Sequence, residues 1–505
     1  MEIGDLSFSQ RALHYFPSMQ SFKPFSGITN STSTETKNIQ RTKYDSIQYV
    51  QEDKNGMVIS DTKSSTLGSI KQDDTLVNET ETENVDEDED NVFKLLTFNT
   101  WGLKYVSKFR KERLVAIADR LAKSIEGIRD YDVIALQEIW TTEDWNYIDR
   151  VCSIKYPYRR WFSSGILAGP GLAVLSKYPI KKTFLYRFPI SGRPSAFFRG
   201  DWYVGKSVAV TILVFKDNST IALLNSHMHA PYAISGDAAY ETHRACQAWE
   251  IATIVEELKE AGYAVILVGD LNSRPGSLQY NILEKEAGLK DSWESLNGKT
   301  DLELIKKMDP WEQIIKGATT CDSLLNTWRS DRRLDEACRL DYALIDNNML
   351  QPIKASVDFT EKIPNVGSYS DHFAYSATFK LNKHNNKKHE GIEVSKAKEL
   401  IQIYTDLRNL VIDYIETTLQ WQRKWRMWHF IGSFAVSIAI LPIITVVSYR
   451  APWSSILFYA FGCIIFASGI INGMISFLFG RYELRNLREV VFEVDDRIKY
   501  LRTSL

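Results

Sequence analysis

The chain has 505 residues, 44% of them apolar, enough for a sizeable core in one large or several ordinary domains. Lys and Arg total 61 against 63 Asp and Glu, a formal charge of -2 that excludes a chain-wide attraction to nucleic acid and leaves only a local basic patch to supply one. The five cysteines (Cys152, Cys246, Cys321, Cys338 and Cys463) form no CxxC pair, and no apolar signal segment opens the chain, so reduced thiols in or facing the cytosol are expected. The odd total argues against a Cys321–Cys338 disulfide and for small buried apolar residues.

Residues 1–91 are rich in Ser, Thr, Asn, Lys and acids and close on a dense acidic run from Glu79 to Asp90, the composition of a disordered acidic arm. The texture changes at Val92. Strands are expected over Val92–Thr97, Asp132–Leu136, Gly171–Leu175, Ser207–Phe215, Ile221–Leu224, Ala264–Val268, Tyr342–Ile345 and Phe373–Phe379. Helices are expected over Arg110–Lys123, with Leu114, Ile117, Ala118 and Leu121 on one face, and over Ala238–Glu260. Strands mixed with helices predict a layered α/β domain over residues 92–381.

A polar linker begins at Asn382, and Leu400, Tyr404, Leu407, Val411 and Tyr414 then mark an amphipathic helix, so residues 382–426 read as linker and juxtamembrane segment. Met427–Tyr449 and Trp453–Phe479 are uncharged, and each exceeds the roughly 20 residues that cross a bilayer, which predicts a transmembrane hairpin over 427–479. Leu484, Leu487, Val491, Val494, Ile498 and Leu501 place a second amphipathic helix over 480–505. Arg423, Lys424 and Arg426 before the hairpin and Arg481, Arg485 and Arg488 after it, against Arg450 alone in the turn, put both termini in the cytosol. The two amphipathic helices then emerge antiparallel and can pack as a stem, within one chain or between chains, whereas lying on the lipid surface is the alternative. Gly469 and Gly473 offer a small face for the first span near Gly432, Ser433 and Ser437.

Six polar clusters stand at or beside the ends of apolar runs: Asn99, Glu138, Asn225-Ser226-His227, Asp270-Leu271-Asn272, Asp341 and Ser370-Asp371-His372. Carboxylates and carboxamides are hard oxygen ligands of the kind Mg²⁺ takes, and histidines move protons, so the set points to metal-assisted phosphoester cleavage. The Asp270-x-Asn272 spacing sends two oxygen-bearing side chains to one side of an extended segment, and Asp341 is suited to orient the His372 imidazole.

These motifs, with Gly171-Leu172-Ala173-Val174-Leu175-Ser176-Lys177-Tyr178-Pro179-Ile180, resemble the endonuclease/exonuclease/phosphatase superfamily. Phe98-Asn99-Thr100-Trp101-Gly102-Leu103-Lys104, Gly192-Arg193-Pro194-Ser195 and Asn225-Ser226-His227-Met228-His229-Ala230, followed by the hairpin, resemble its neutral sphingomyelinase branch, including the fungal inositol phosphosphingolipid phospholipases C. The resemblance implies a DNase I-like four-layer αββα sandwich and Mg²⁺-dependent release of ceramide and a phosphorylated headgroup. It implies Glu138 and Asn99 as metal residues, Asp270 and Asn272 as orienting water and phosphate, and His372 with Asp341 as the base. His227 would serve the transferring phosphoryl group or the leaving alcohol, and His229 is a second-tier candidate. It further implies a membrane phosphosphingolipid substrate, anionic phospholipid activators, a possible homo-oligomer through membrane or stem helices, and endoplasmic reticulum or mitochondrial membranes.

Gly200 to Ser207 fits the nucleotide-binding pattern GxxxxGK[ST], yet a strand rather than a helix is expected after it, which excludes an ordinary P-loop. The resembling family uses this region in catalysis and activation, with Asp201 and Lys206 at the matching positions; a surface turn with a salt bridge is the plainer reading. Trp202 and Tyr203 are candidates for lipid contact. A nuclease or an inositol polyphosphate phosphatase of the same fold would share the chemistry. The hairpin argues against the first, and the second carries a Cys-Asp-Arg segment where this chain has Cys338-Arg339-Leu340-Asp341. A non-catalytic membrane tether would have no reason to keep all six clusters.

Overall fold

The computed structural model describes residues 91–124, 129–382 and 393–503, so the expectations for the acidic arm and for most of the linker lie outside the described residues. Fourteen strands form among them: β1 (Val92–Asn99), β2 (Val133–Gln137), β3 (Tyr158–Trp161), β4 (Ala173–Ser176), β5 (Ile180–Arg187), β6 (Ser207–Val214), β7 (Thr220–His227), β8 (Ala264–Asp270), β9 (Lys290–Asp291), β10 (Asp341–Ile345), β11 (Leu350–Asp358), β12 (Lys362–Ile363), β13 (Gly367–Ser368) and β14 (Ala374–Leu381). Two six-stranded sheets result, ordered β11-β14-β1-β2-β4-β3 and β5-β6-β7-β8-β10-β9, beside the small β12-β13 ribbon. Each large sheet holds one parallel pair at its centre, β1 with β2 and β7 with β8, and every other pairing is antiparallel.

The pleat explains the layering, because alternate side chains leave opposite faces of a strand. On β1, Phe93 and Leu95 enter the core between the sheets with Ala209, Leu223, Ile266 and Val268, while Leu96 and Phe98 pack outward on Leu114, Ile117 and Leu121 of helix Arg110–Ala122. On β8, Ile266 and Val268 face inward, while Val265 and Leu267 meet Ala245 and Trp249 of helix Glu241–Glu260. Helix, sheet, sheet, helix is the DNase I-like sandwich. Strands covered on both faces need apolar side chains on both, which is why β2 and β8 read as apolar runs and β1 is interrupted before Asn99 only at Lys94 and Thr97.

Each amphipathic helix runs straight into its membrane-length segment. Val394–Arg450 is continuous over 57 residues and Ser454–Thr503 over 50, each long and apolar enough to cross a bilayer. Each contains one π-helical turn, Ile415–Leu419 and Ile475–Phe479, where stem becomes span. The stem stripes are buried against each other and against the outer face of the second sheet's helix: Leu400, Tyr404, Leu407, Val411, Leu487, Val491, Val494 and Ile498 share one core with Ala245, Trp249 and Ala252. Polar ties reinforce it, with Trp249 Nε1 donating to Glu493 at 2.7 Å, Arg408 paired with Asp495 at 2.7 Å, and Arg497 paired with Glu256.

Between the spans, a Cβ on Gly469 would lie 2.5 Å from Ser433 Cβ and one on Gly473 would lie 3.0 Å from the Phe430 ring. The expected close approach is therefore made by Phe430 and Ser433, and not by Gly432, whose Cβ position is open. Arg426 donates to Asn472 Oδ1 at 2.7 Å across the hairpin, tying the ends of the spans together.

Leu407 is 0% exposed in the joint between stem and domain. Leu407→Ala is expected to cost about 2–5 kcal/mol of stability. Denaturant unfolding of the solubilised full chain, followed by the fluorescence of Trp249 and its neighbours, should show a lower midpoint; an unchanged midpoint would mean that the stem folds independently of the domain.

Candidate active site

The two parallel pairs end at the same edge of the sandwich, and their last residues carry the polar clusters. In the parallel register Asn99 faces Gln137 and His227 faces Asp270, while antiparallel pairing sets Asp341 opposite Asp270. Glu138, one residue past β2, turns into the left-handed region at φ 63°, which carries its side chain out of the ladder. Gly269 lets β7 and β8 close at this point, since a Cβ there would sit 1.8 Å from Ser226 O at φ 130°.

The side chains converge on Asp270. Asn99 Nδ2 donates to Asp270 Oδ2 and to Glu138 Oε1, both at 3.0 Å, and so spaces the two carboxylates. Its Oδ1 accepts from the Trp101 backbone N–H at 3.0 Å, so the carboxamide presents its nitrogen, not its oxygen, to the acids. His227 Nε2 lies 3.5 Å and His372 Nε2 3.8 Å from Asp270 Oδ2, and His372 Nδ1 lies 2.8 Å from Asp341 Oδ2. Asp270, Asp341 and His372 bring ligand atoms within 4.8 Å of one another, a set able to hold a metal ion.

The extended Asp-x-Asn geometry is not what joins Asp270 to Asn272. β8 stops at Asp270, and Asn272 adopts φ 46°. Its backbone N–H donates to Asp270 Oδ1 at 3.0 Å and its side-chain amide to Met228 O at 3.0 Å, a tight turn that aligns the pair by hydrogen bonding.

Electrostatics divides the groups. Burial pushes Asp270 up to about 6, with Asp341 adding repulsion and His372 and the bonds from Asn99 and Asn272 opposing. Burial and the Asp371 charge raise Glu138, whose hydrogen-bond donors, Asn99 and Trp140 Nε1 at 3.3 Å, are neutral. Burial, Lys206 and His372 hold His227 well below the ordinary imidazole range. Burial opposes charge on His372 too, yet Cys321, Asp341 and Asp270 together place it well above that range. Two histidines flank one carboxylate, one with its proton affinity lowered and the other with it raised.

Lys206 and Asp201 pair at 3.4 Å and are both buried, so the plain surface-turn reading fails. Asp201 also accepts from Ala230 N at 3.2 Å and Tyr232 OH at 3.1 Å, and lies 3.3 Å from His229 Nδ1. His229 is 1% exposed, stacked on Tyr240 at 4.1 Å and lowered by burial to about 3, so it is a neutral supporting imidazole. The segment after Lys206 is β6, a strand as expected. Trp202 meets Phe479 of the hairpin edge-on at 5.3 Å, and Tyr203 OH donates to Pro194 O at 2.6 Å. Trp101 packs on Arg113 and Trp328, and Trp140 on Gly171.

Sequence reasoning missed the scaffold behind these groups. Arg113, 0% exposed, donates to Lys108 O, Thr100 O, Tyr369 O and Trp101 O at 2.7–3.0 Å, binding the loops after β1 and before β14. Gln137 Nε2 donates to Asn225 Oδ1 at 2.8 Å and joins the two sheets under the site. Arg329 holds Asp371 at 2.5 Å, and Ser370 Oγ donates to Asn99 O at 2.7 Å. No local pattern marks Arg113 or Arg329. The exposed Phe197 and Phe198, beside Trp202 and Tyr203, were likewise missed although they are adjacent aromatics on a glycine-flanked loop.

The segment bounded by Leu96 in β1 and His372 before β14 matches the Endonuclease/Exonuclease/phosphatase family. The chain belongs to that family. Among curated members it is 54% identical over 438 residues to the inositol phosphosphingolipids phospholipase C of Saccharomyces cerevisiae, covering 82% of this chain and 91% of that one. It is 34% identical over 414 residues to the protein of the same name from Schizosaccharomyces pombe, covering 80% and 94%. The mouse sphingomyelin phosphodiesterase 2 is 33% identical over 211 residues, 41% of this chain and 48% of that one. The family's similarity to the first two runs beyond the sandwich, because a match over 438 residues exceeds the 96–372 segment.

Because Asp341 is one of the charges that raise His372, Asp341→Asn should lower the pH at which that imidazole loses its proton. Titration of isotope-labelled histidine in the solubilised protein, with His372→Gln assigning the signal, measures the shift. An unmoved midpoint would reject the pairing.

Proposed function

We propose that this protein is a Mg²⁺-dependent phospholipase C that hydrolyses inositol phosphosphingolipids, and sphingomyelin as a related substrate, to ceramide and a phosphorylated headgroup. One observation carries the reading: the cluster centred on Asp270 stands on a sandwich that shares one core with the stem helices, which run on into a hairpin long enough to span a membrane. A cytosolic site fixed beside a bilayer meets lipid at high effective concentration. The name borne by the relative at 54% identity supports the inositol phosphate headgroup.

The donor chemistry fits the metal. Glu138 and Asp270 are carboxylates raised by burial, and Glu138 is bonded only by neutral donors, so a hard divalent cation would relieve the charge that the protein leaves uncompensated. Glu138 and Asp270 would hold it, while Asn99, expected as a metal residue, instead spaces the two carboxylates through its amide nitrogen; when bound, the cation would neutralise charge gathering on the phosphoryl oxygens.

The chain's own groups divide the remaining work. His372 Nε2 takes the proton of the attacking water while Asp341 Oδ2 holds Nδ1, a pairing that fixes the tautomer and strengthens the base. With a cation held beside Asp270, His372 would be less strongly protonated and so available as the base. Asp270 and Asn272, locked by the turn, set the direction of attack. His227, neutral at physiological pH, hydrogen-bonds the transferring group or the leaving alkoxide and does not begin the step as its acid. Lys206 meets phosphate as a point charge and Asp201 positions it. No covalent enzyme intermediate is needed.

Trp202 and Tyr203, joined by Phe197 and Phe198, suit the headgroup boundary, where amphipathic aromatics partition. The basic flanks support a cytosolic position for both termini and the catalytic domain and favour anionic phospholipids as activators, and the family resemblance points to endoplasmic reticulum or mitochondrial membranes. The membrane or stem helices provide the surface for a homo-oligomer.

Purified protein given inositol phosphosphingolipid, sphingomyelin and abasic DNA separately, each with Mg²⁺ or chelator, should release ceramide from the first most rapidly and leave DNA intact. Glu138→Ala should abolish turnover while retaining the fold. Cleavage of DNA alone would sink the lipid reading, and ceramide release surviving both chelation and Glu138→Ala would sink the metal assignment. For orientation, a glycosylation acceptor beside Arg450 should be modified and one near Lys388 should not; the reverse pattern inverts the topology.

A further inference from the structure

Cys321 and Cys338 lie directly opposite one another on two short antiparallel segments. Cys321 N donates to Cys338 O at 2.9 Å and Cys338 N to Cys321 O at 3.0 Å, so the two residues exchange both backbone bonds. Such a pair holds its Cα atoms about 5.5 Å apart, inside the range of about 4.4–6.8 Å that a disulfide spans. Their thiols, with the Asp322 carboxylate, lie within 4.8 Å of one another. Both cysteines are free.

Their location gives the pair a route to the chemistry. Cys321 bridges on its other side to His372, and Phe373 N donates to Thr320 O at 2.7 Å. Thr320 Oγ1 accepts from Leu340 N at 3.1 Å and Asp341 N at 3.3 Å. Thus Thr320-Cys321 is wedged between the segment that presents Asp341 and the segment that presents His372.

We propose that Cys321 and Cys338 form a peroxide-reactive dithiol whose closure to a disulfide reversibly lowers activity by displacing the His372–Asp341 pair. In the first step the Cys321 sulfur attacks hydrogen peroxide, an O–O bond breaks, and Cys321 sulfenic acid and water result. In the second the Cys338 sulfur attacks the sulfenic sulfur, the S–O bond breaks, and the disulfide and a second water form. The dithiol gives up two electrons and the peroxide accepts them.

The two thiols lie side by side, so a sulfenic acid formed on Cys321 is within reach of Cys338. A soft metal is the competing occupant of the same three ligands. Asp322, however, is held by Arg332 at 3.3 Å and Arg329 at 3.6 Å, and Arg274 stands against Cys338, so the surroundings are cationic. Cys321 is 5% and Cys338 9% exposed, which leaves little sulfur surface for an oxidant as bulky as glutathione disulfide.

The test treats reduced, solubilised full-length protein with hydrogen peroxide, blocks remaining thiols, and maps linked peptides by mass spectrometry. Expected are a Cys321–Cys338 peptide, activity loss in proportion to its yield, and recovery of both with dithiothreitol. Cys338→Ala should keep basal turnover, lose the linked peptide and lose the dithiothreitol-reversible component, whereas Cys463→Ala should behave as the parent. Glutathione disulfide should leave no adduct on either residue. Linkage through other cysteines, a linked peptide without activity loss, or reversible inhibition persisting in Cys338→Ala would overturn the proposal. Peptide mapping needs no substrate, so it stands or falls apart from the phospholipase assignment.

Discussion

A carboxylate buried where two sheets meet governs this molecule. Asp270 is 2% exposed, and a carboxylate carried out of water is costly unless hydrogen bonds and opposite charge compensate it. Here the compensation is incomplete by construction: Asn99 and the Asn272 backbone donate, a histidine stands on either side, and a second carboxylate, Asp341, lies opposite in the ladder. The deficit makes the site receptive to a cation, while burial, Lys206 and His372 lower His227 and Cys321, Asp341 and Asp270 raise His372 against burial. Sheet register enforces it, since Asp270 is aligned with His227 on one side and Asp341 on the other, and Gly269 lets the strands close.

Such a site holds its shape only if its loops cannot relax. Arg113 provides that restraint with four donated bonds at full burial, and the Gln137–Asn225 bond pins the two sheets together beneath the catalytic groups. Ser370 bonds Asn99 O and so couples the segment bearing His372 to the end of β1. These contacts act through positions and not through charge transfer to substrate, which is why substitution there would misplace the histidines before it altered their basicity.

What was legible in the sequence was what is buried on both faces. β1, β2, β8 and β10 announce themselves as largely apolar runs, and the candidate residues Asn99, Glu138, Asp270 and Asp341 stand at or beside their ends. The edge strands were not legible: β3 and β5 alternate exposed charges with half-buried positions, and β11 contains Pro352 at a register shift, tolerated because an edge strand has an unpaired side. Asn272 shows a subtler failure, the right residue reached through the wrong geometry, because φ 46° cannot be read from Asp-Leu-Asn. Arg113 and Tyr369 are 256 positions apart, a separation at which no local pattern speaks.

The stem changes what the hairpin means. Had its stripes been separate from the domain, the spans would be a tether with the sandwich free to rotate beneath. Instead Leu407, Val411, Leu487 and Val494 complete the outer layer over helix Glu241–Glu260, and Tyr414 OH donates to Glu483 at 2.6 Å between the stem helices. The loop that carries Lys206 then touches the end of the second span through Trp202 and Phe479, while a Cβ on Gly192 would meet His229 Nε2 at 2.7 Å. Phe479, Trp202, Asp201 and Lys206 thus form a short run of contacts from the end of the second long helix to the buried lysine. Whatever fixes the two long helices therefore fixes the position of the sandwich relative to them, because stem and sandwich share one packed core and leave no free joint between them.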